Sequence, residues 1–366
     1  MRSSFGMALF AATALSSPLL AQAPEGYPEG YGDIVAAAAE EGKLVVYSVT
    51  SAVPLLLEDF QKLYPDVKLE YVSGDTGPLY DQIISESAAT VAPFRSTADV
   101  VWSSAMDLQL KLVADGHALA YESPEVSKLP SWAVWKNEAF GTSCEPIGFA
   151  YNKELVDEAE VPHSRADLIK LLSEKPDKFR GKVTTFDPEK SGLGYFLMTQ
   201  DLTVAPDAFP ALAKALGASD VFLGSGTGAQ FTRMSEGESL IGYNMLTSYA
   251  AGRAKKDHPK LGYVLPEDYA LVLSRVMFIT KYAEHPNAAK LWVDYLLSKR
   301  GQEMLVASDL GSLREDVPQE EAPCGQVMSM GDAMKPIAIA ESSAAYLDPE
   351  KRAAVMEQWN GWITAQ

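Results

Sequence analysis

The sequence predicts an α/β protein of two lobes, each a mainly parallel sheet flanked by helices. A βαβαβα rhythm near residue 44, its return after residue 160, and a length of 366 residues, more than one hydrophobic core supports, point there. In order, "KLVVYSV" reads as a strand. "SAVPLLLEDFQKLYP" reads as a helix started by Ser51 and stopped before Pro65, and "VKLEYVSG" as a second strand. "TGPLYDQIISESAAT" is a helix, "TADVVWSS" a strand, and "AMDLQLKLVADG" a helix closed by Gly116. The second lobe opens with helix "SRADLIKLLSEKP" and strand "GKVTTF". Helices "SGLGYFLMTQDL" and "FPALAKALG", strand "VFLG", helix "GAQFTRMSEG" and strand "SLIGYNM" follow. "HPNAAKLWVDYLLSKRGQEMLVASD" then forms one or two amphipathic helices before a helix-rich tail. No linker separates the lobes, so "IGFAYN" (147–152) and "YALVLSRVMFI" (269–279) are expected to carry the chain across. Residues 24–148 are assigned to lobe one, 149–270 to lobe two, and 271–366 to the return and the C-terminal helices.

The N-terminus, with one early Arg, an uncharged apolar run and Ala21-Gln22-Ala23 as a cleavage signal, reads as a signal peptide over 1–23. A membrane anchor is the competing reading, but the run is shorter than the roughly 20 residues a span needs. The expected setting is a periplasm. Cys144 and Cys324 form either one disulfide or two buried thiols. With 49 acidic against 31 basic residues the net charge is −18, which argues against nucleic acid and against an anionic membrane surface. The four histidines carry no metal-ligand spacing.

"GSGTGA" (224–229) matches a dinucleotide fingerprint, but Asn244 stands where a ribose-binding acid would end the next strand, so a plain helix start is the better reading. No P-loop or nucleophile elbow occurs, and no catalytic group or cofactor is nominated. What the pattern offers instead is hydroxyls and amides at strand ends: Ser48, Thr50 and Ser51; Ser103 and Ser104; Ser191, Gly192 and Gly194; Thr227; Tyr243 and Asn244. Singly each reads as a helix cap. Together they line a cleft where several helix N-termini favour an anion.

The order of "ADVVWSS", "FRGKVTTFDPEKSGLGYF", "MSEGESLIGYN" and "HPNAAKLWVDYLLSKRGQEML" resembles the periplasmic solute-binding proteins of the ferric-ion-binding type, which feed ABC importers. The resemblance implies the type II periplasmic-binding-protein fold, a monomer with hinge closure on a ligand, and delivery to a membrane permease. Where iron-binding members carry two tyrosines, a histidine and a glutamate, this chain has Met245, Leu246, Ser51 and Ser104, none of them an anionic oxygen ligand. Their anion-holding turn matches Ser191, Gly192 and Leu193, with Thr227 at the next helix start. The implied ligand is a small anionic solute, an organophosphate or phosphonate. Trp102 and Tyr243 are candidates to pack on its organic part, against the commoner reading of an aromatic near a strand end as lobe core. Arg275 is read either as a bidentate anion contact or as a surface ion pair. A ferric or ferric-complex carrier and a periplasmic enzyme on the same scaffold are the alternatives.

Overall fold

The computed structural model describes residue 24 and residues 26–50, 53–88 and 98–364. The proposed signal peptide and Ser51 lie outside the described residues. Fourteen strands occur among them: β1 (Lys43–Ser48), β2 (Lys68–Ser73), β3 (Val100–Ser103), β4 (Ala118–Leu119), β5 (Val134–Trp135), β6 (Ala139–Gly141), β7 (Glu145–Asn152), β8 (Val183–Phe186), β9 (Phe222–Gly224), β10 (Ile241–Leu246), β11 (Leu261–Val264), β12 (Ala270–Leu273), β13 (Val276–Thr280) and β14 (Met334–Pro336). They build two sheets, of order β2-β1-β3-β13-β6-β5 with β4 on β13, and β14-β12-β7-β10-β8-β9 with β11 on β7. Both sheets are mixed rather than mainly parallel as expected, because the returning strands β7 and β13 pair antiparallel with their neighbours. In the first, β1 runs parallel to β2 and β3. In the second, β8 runs parallel to β9 and β10.

Strand β1 shows why the parallel cores form. Leu44 and Val46 enter one apolar cluster with Phe60, Trp102 and Trp292, while Val45 and Tyr47 enter another on the opposite face. Both faces of the strand are covered, as helices on two sides of a parallel sheet require. Lobe two has its own core around Phe149, Leu168, Phe209 and Tyr243. The cluster that takes Val45 and Val101 continues across to Phe196, Met245 and Leu246, so the lobes share apolar contact.

The chain passes between the sheets at 142–144, from β6 to β7, and at 274–275, from β12 to β13. The expected single strand "YALVLSRVMFI" is therefore two strands in two sheets. Its break is fixed from outside: Ser274 Oγ accepts hydrogen bonds from the amides of Thr142 (3.1 Å) and Ser143 (3.2 Å), which holds the two crossings side by side. Cys144 and Cys324 form a disulfide with Cα atoms 5.8 Å apart, resolving the two readings of that pair and tying the first crossing to the helix Pro323–Met328.

After 280 the chain does not stay with the first sheet. β14 pairs in parallel with β12 of the second sheet. The turn Glu341–Leu347 packs on the helix Met106–Ala114 of lobe one, and the final helix Pro349–Ile363 packs on Phe209–Ala218 of lobe two. There Trp359 stacks on Phe209 at 6.2 Å, and Gly217 lies so close to Ile363 that a Cβ would meet its carbonyl oxygen at 2.0 Å.

Candidate functional site

Parallel strands place the starts of their following helices along one sheet edge. In lobe one the helices Pro54–Leu63, Thr76–Ala88 and Met106–Ala114 begin just past the carboxyl ends of β1, β2 and β3. In lobe two Gly192–Val204, Thr227–Ser235 and Thr247–Lys256 begin just past β8, β9 and β10. Arg275 touches Thr50 of the first edge and Tyr249 of the second, so the two edges meet at the crossing strands. Thr50 and Tyr249 also line one cavity of about 400 Å³ between the lobes, with Val53, Arg253 and Lys256. A larger groove of about 750 Å³ beside Tyr27 and Tyr295 belongs to lobe one alone. Position between the edges, rather than size, marks the site.

The turn after β8 is built by its own residues. Ser191 caps the helix, its Oγ accepting from the Gly194 amide at 3.1 Å. The amides of Gly192 and Leu193 have no acceptor among the described residues. Gly194 is required by close approach, since a Cβ there would fall 2.5 Å from Phe186 Cβ. Asp187, just before the turn, accepts from Lys190 Nζ at 2.8 Å and from the Glu189 amide. Burial opposes its ionisation, but Lys190 and the amide outweigh that and hold its carboxyl below the ordinary value. Half-buried Thr227 opens its helix with no side-chain cap, and half-buried Ser104 lies at the facing edge of lobe one.

Arg275 is neither a free anion ligand nor a surface ion pair. It is 3% exposed, and fully buried Glu145 accepts from Nη2 at 3.0 Å and lies within ion-pair distance of Nε at 2.9 Å, which makes no hydrogen bond among the described residues. Nη1 donates to Thr50 Oγ1 at 2.6 Å and Nη2 to Tyr249 Oη at 3.0 Å. Burial would lower its pKa, yet the Glu145 carboxylate and the Tyr249 hydroxyl raise it further, so the guanidinium stays charged.

Five other expected residues are corrected. Trp102 is fully buried in the lobe-one core, its indole N–H bound to Thr142 Oγ1 at 2.8 Å, so its ring is held away from any solute. Tyr243 is core as well: its hydroxyl donates to Asp201 at 2.8 Å and accepts from Arg165, and burial raises its pKa well above the ordinary value. Ser48 donates to the Trp102 carbonyl and accepts from the Thr50 amide, and Ser103 accepts from the Ala105 amide, so both hydroxyls shape their loops. Asn244, at φ 59, gives its amide to Asp201 at 2.6 Å and leaves its buried Oδ1 without a partner among the described residues. The structure thus keeps Thr50, Ser104, Ser191, Gly192, Leu193, Gly194 and Thr227 at the two edges. It adds Glu145 and Tyr249, which sequence reasoning missed. Glu145 lies 130 residues from Arg275, and no local spacing marks such a pair.

Two α/β lobes joined by two crossing strands, with helix N-termini meeting at the joint, define a protein that encloses a solute between its lobes. A family model described as bacterial extracellular solute-binding protein matches residues 95–326, and the chain belongs to that family. The substrate binding protein of an ABC transporter from Agrobacterium tumefaciens is 34% identical, with a TM-score of 0.77 over 88% of this chain and 94% of that one. AfuA from Actinobacillus pleuropneumoniae, solved with exogenous fructose-6-phosphate bound, shares the fold at 22% identity and TM-score 0.65, covering 89% of this chain and 99% of its own. So does the ferric binding protein from Campylobacter jejuni, at 17% identity and TM-score 0.67, covering 87% and 99%. An uncharacterized protein of Haemophilus influenzae is 26% identical over 334 residues, 87% of this chain and 90% of that protein.

Proposed function

We propose that the protein is the periplasmic solute-binding component of an ABC importer, that it is a monomeric carrier and not an enzyme, and that its cargo is a small organophosphate or phosphonate. Residues 1–23 act as its signal peptide. The similarity to the Agrobacterium tumefaciens protein supports the transport role. The observation that carries the cargo reading is the turn at 191–194, where two amides at a helix N-terminus and the Ser191 hydroxyl converge. Thr50 and Ser104 follow the carboxyl ends of β1 and β3 in lobe one, and Thr227 opens the helix after β9 in lobe two. Closure brings these donors around the anion, and the closed form is the one a permease accepts.

The iron reading has weaker support. Met245 and Leu246, at the positions that carry tyrosines in iron-binding relatives, are buried apolar side chains. Among the described residues no group of three or more His, Cys, Asp or Glu is placed to hold a metal ion. The test is elemental analysis of what the natively purified protein releases on denaturation. Phosphorus near one atom per chain is expected. Iron without phosphorus overturns the cargo assignment.

A further inference from the structure

We propose that Arg275 is a positioning residue that turns the hydroxyls of Thr50 and Tyr249, one from each lobe, into donors aimed at an acceptor-only group in the cavity between them. A guanidinium has five donor hydrogens and no acceptor. Both hydroxyl oxygens that it meets, at 2.6 and 3.0 Å, must therefore accept from it. Each hydroxyl proton is left to be given elsewhere: Tyr249 has no acceptor among the described residues, and Thr50 has beside it only the Tyr71 hydroxyl, which itself donates to the Thr50 carbonyl at 2.9 Å. The two residues line the same cavity of about 400 Å³. Donation from a cation strengthens each hydroxyl as a donor in turn.

Glu145 completes the device. Its carboxylate takes the remaining edge of the guanidinium and itself accepts from Ser143 Oγ at 2.7 Å. Arg275 is thus charge-neutralised and locked in rotation, and it contributes orientation rather than net positive charge. A carboxylate or phosphate oxygen satisfies two converging donors, whereas an ammonium or an amide N–H repels them. This deepens the oxyanion reading and rests on it: it identifies which two residues bind across the joint and why they select acceptors.

The test is calorimetric titration with inorganic phosphate and with fructose 6-phosphate. The proteins are wild type, Thr50→Val, Thr50→Ser, Tyr249→Phe and Arg275→Lys, each checked for fold by circular dichroism. The hydroxyl deletions leave the Arg275–Glu145 pair intact, so they report binding even if Arg275→Lys fails to fold. Thr50→Val and Tyr249→Phe are each expected to weaken binding about tenfold, with Thr50→Ser restoring affinity to within about twofold. Arg275→Lys, which retains both hydroxyls, is expected to lose at least as much as either deletion. Binding by wild type with unchanged affinity in both deletions overturns the positioning role and leaves the cargo assignment standing. Absence of binding by wild type to either probe overturns the positioning role, and overturns the cargo assignment as well if phosphoglycerate and a phosphonate also fail to bind.

Discussion

At the residue scale, Asp107 shows how position sets chemistry. It sits in the first turn of Met106–Ala114, 7% exposed, with Oδ1 accepting from the Leu108 amide at 2.9 Å. Burial raises its pKa from 3.8 to about 6, and that amide and the distant charge of Arg352 only partly offset the effect. Because the folded pKa lies above the unfolded one, the folded state binds more protons between about pH 4 and 6. Stability therefore falls as pH rises through that window. Asp107→Asn is expected to raise stability at pH 7 by on the order of 2 kcal/mol and to change little at pH 4, measured by urea unfolding at the two values. Sequence could not show this: an Asp in a first helical turn reads as a solvated dipole partner, and its burial comes from lobe packing. Tyr243, read as ending a strand, lies inside β10, which runs on to Leu246; core was the commoner reading for it and for Trp102, and both enter the core.

At the element scale, most of what positions the cleft was legible. The alternation of apolar runs with helical patterns located β1 to β3, β8 to β10 and the helices after all of them except β10, the buried strands being continuous apolar runs; the helix Thr247–Lys256, which carries Tyr249, was not read. "YALVLSRVMFI" misled, since its apolar pattern runs on without a turn residue and the break at Ser274–Arg275 is imposed by hydrogen bonds from Thr142 and Ser143. The helix after β8 carries the clearest prediction. Ser191→Ala removes the cap on the Gly194 amide and is expected to cost about 1 kcal/mol of stability. Ser191→Asp keeps an acceptor for that amide but sets a negative charge against the anion. It is expected to retain the melting temperature while abolishing solute binding. Titration of Ser191→Asp at wild-type affinity removes this turn from the site.

At the scale of the whole molecule, three links join the lobes: two crossing strands and the C-terminal segment, which leaves β14 on the second sheet, touches Met106–Ala114 and returns to Phe209–Ala218. The disulfide holds the first crossing to that segment across a sequence separation of 180 residues. Closing so long a loop constrains the unfolded chain, so reduction is expected to cost about 5 kcal/mol, read as a fall in the urea midpoint with and without reductant. Composition reached this scale only in part. Chain length called for two lobes, but the number of links depends on contacts no local pattern encodes.

The most direct test is a thermal-shift comparison of matched compounds on protein refolded free of ligand: fructose 6-phosphate against fructose, phosphoglycerate against glycerate, a phosphonate, and ferric citrate. A ligand at 100 times its dissociation constant adds roughly 2.7 kcal/mol, which moves the midpoint by a few degrees. The account predicts a shift with at least one phosphorylated or phosphonate compound and none with its phosphate-free partner. A shift confined to ferric citrate, or equal shifts within each pair, would contradict it.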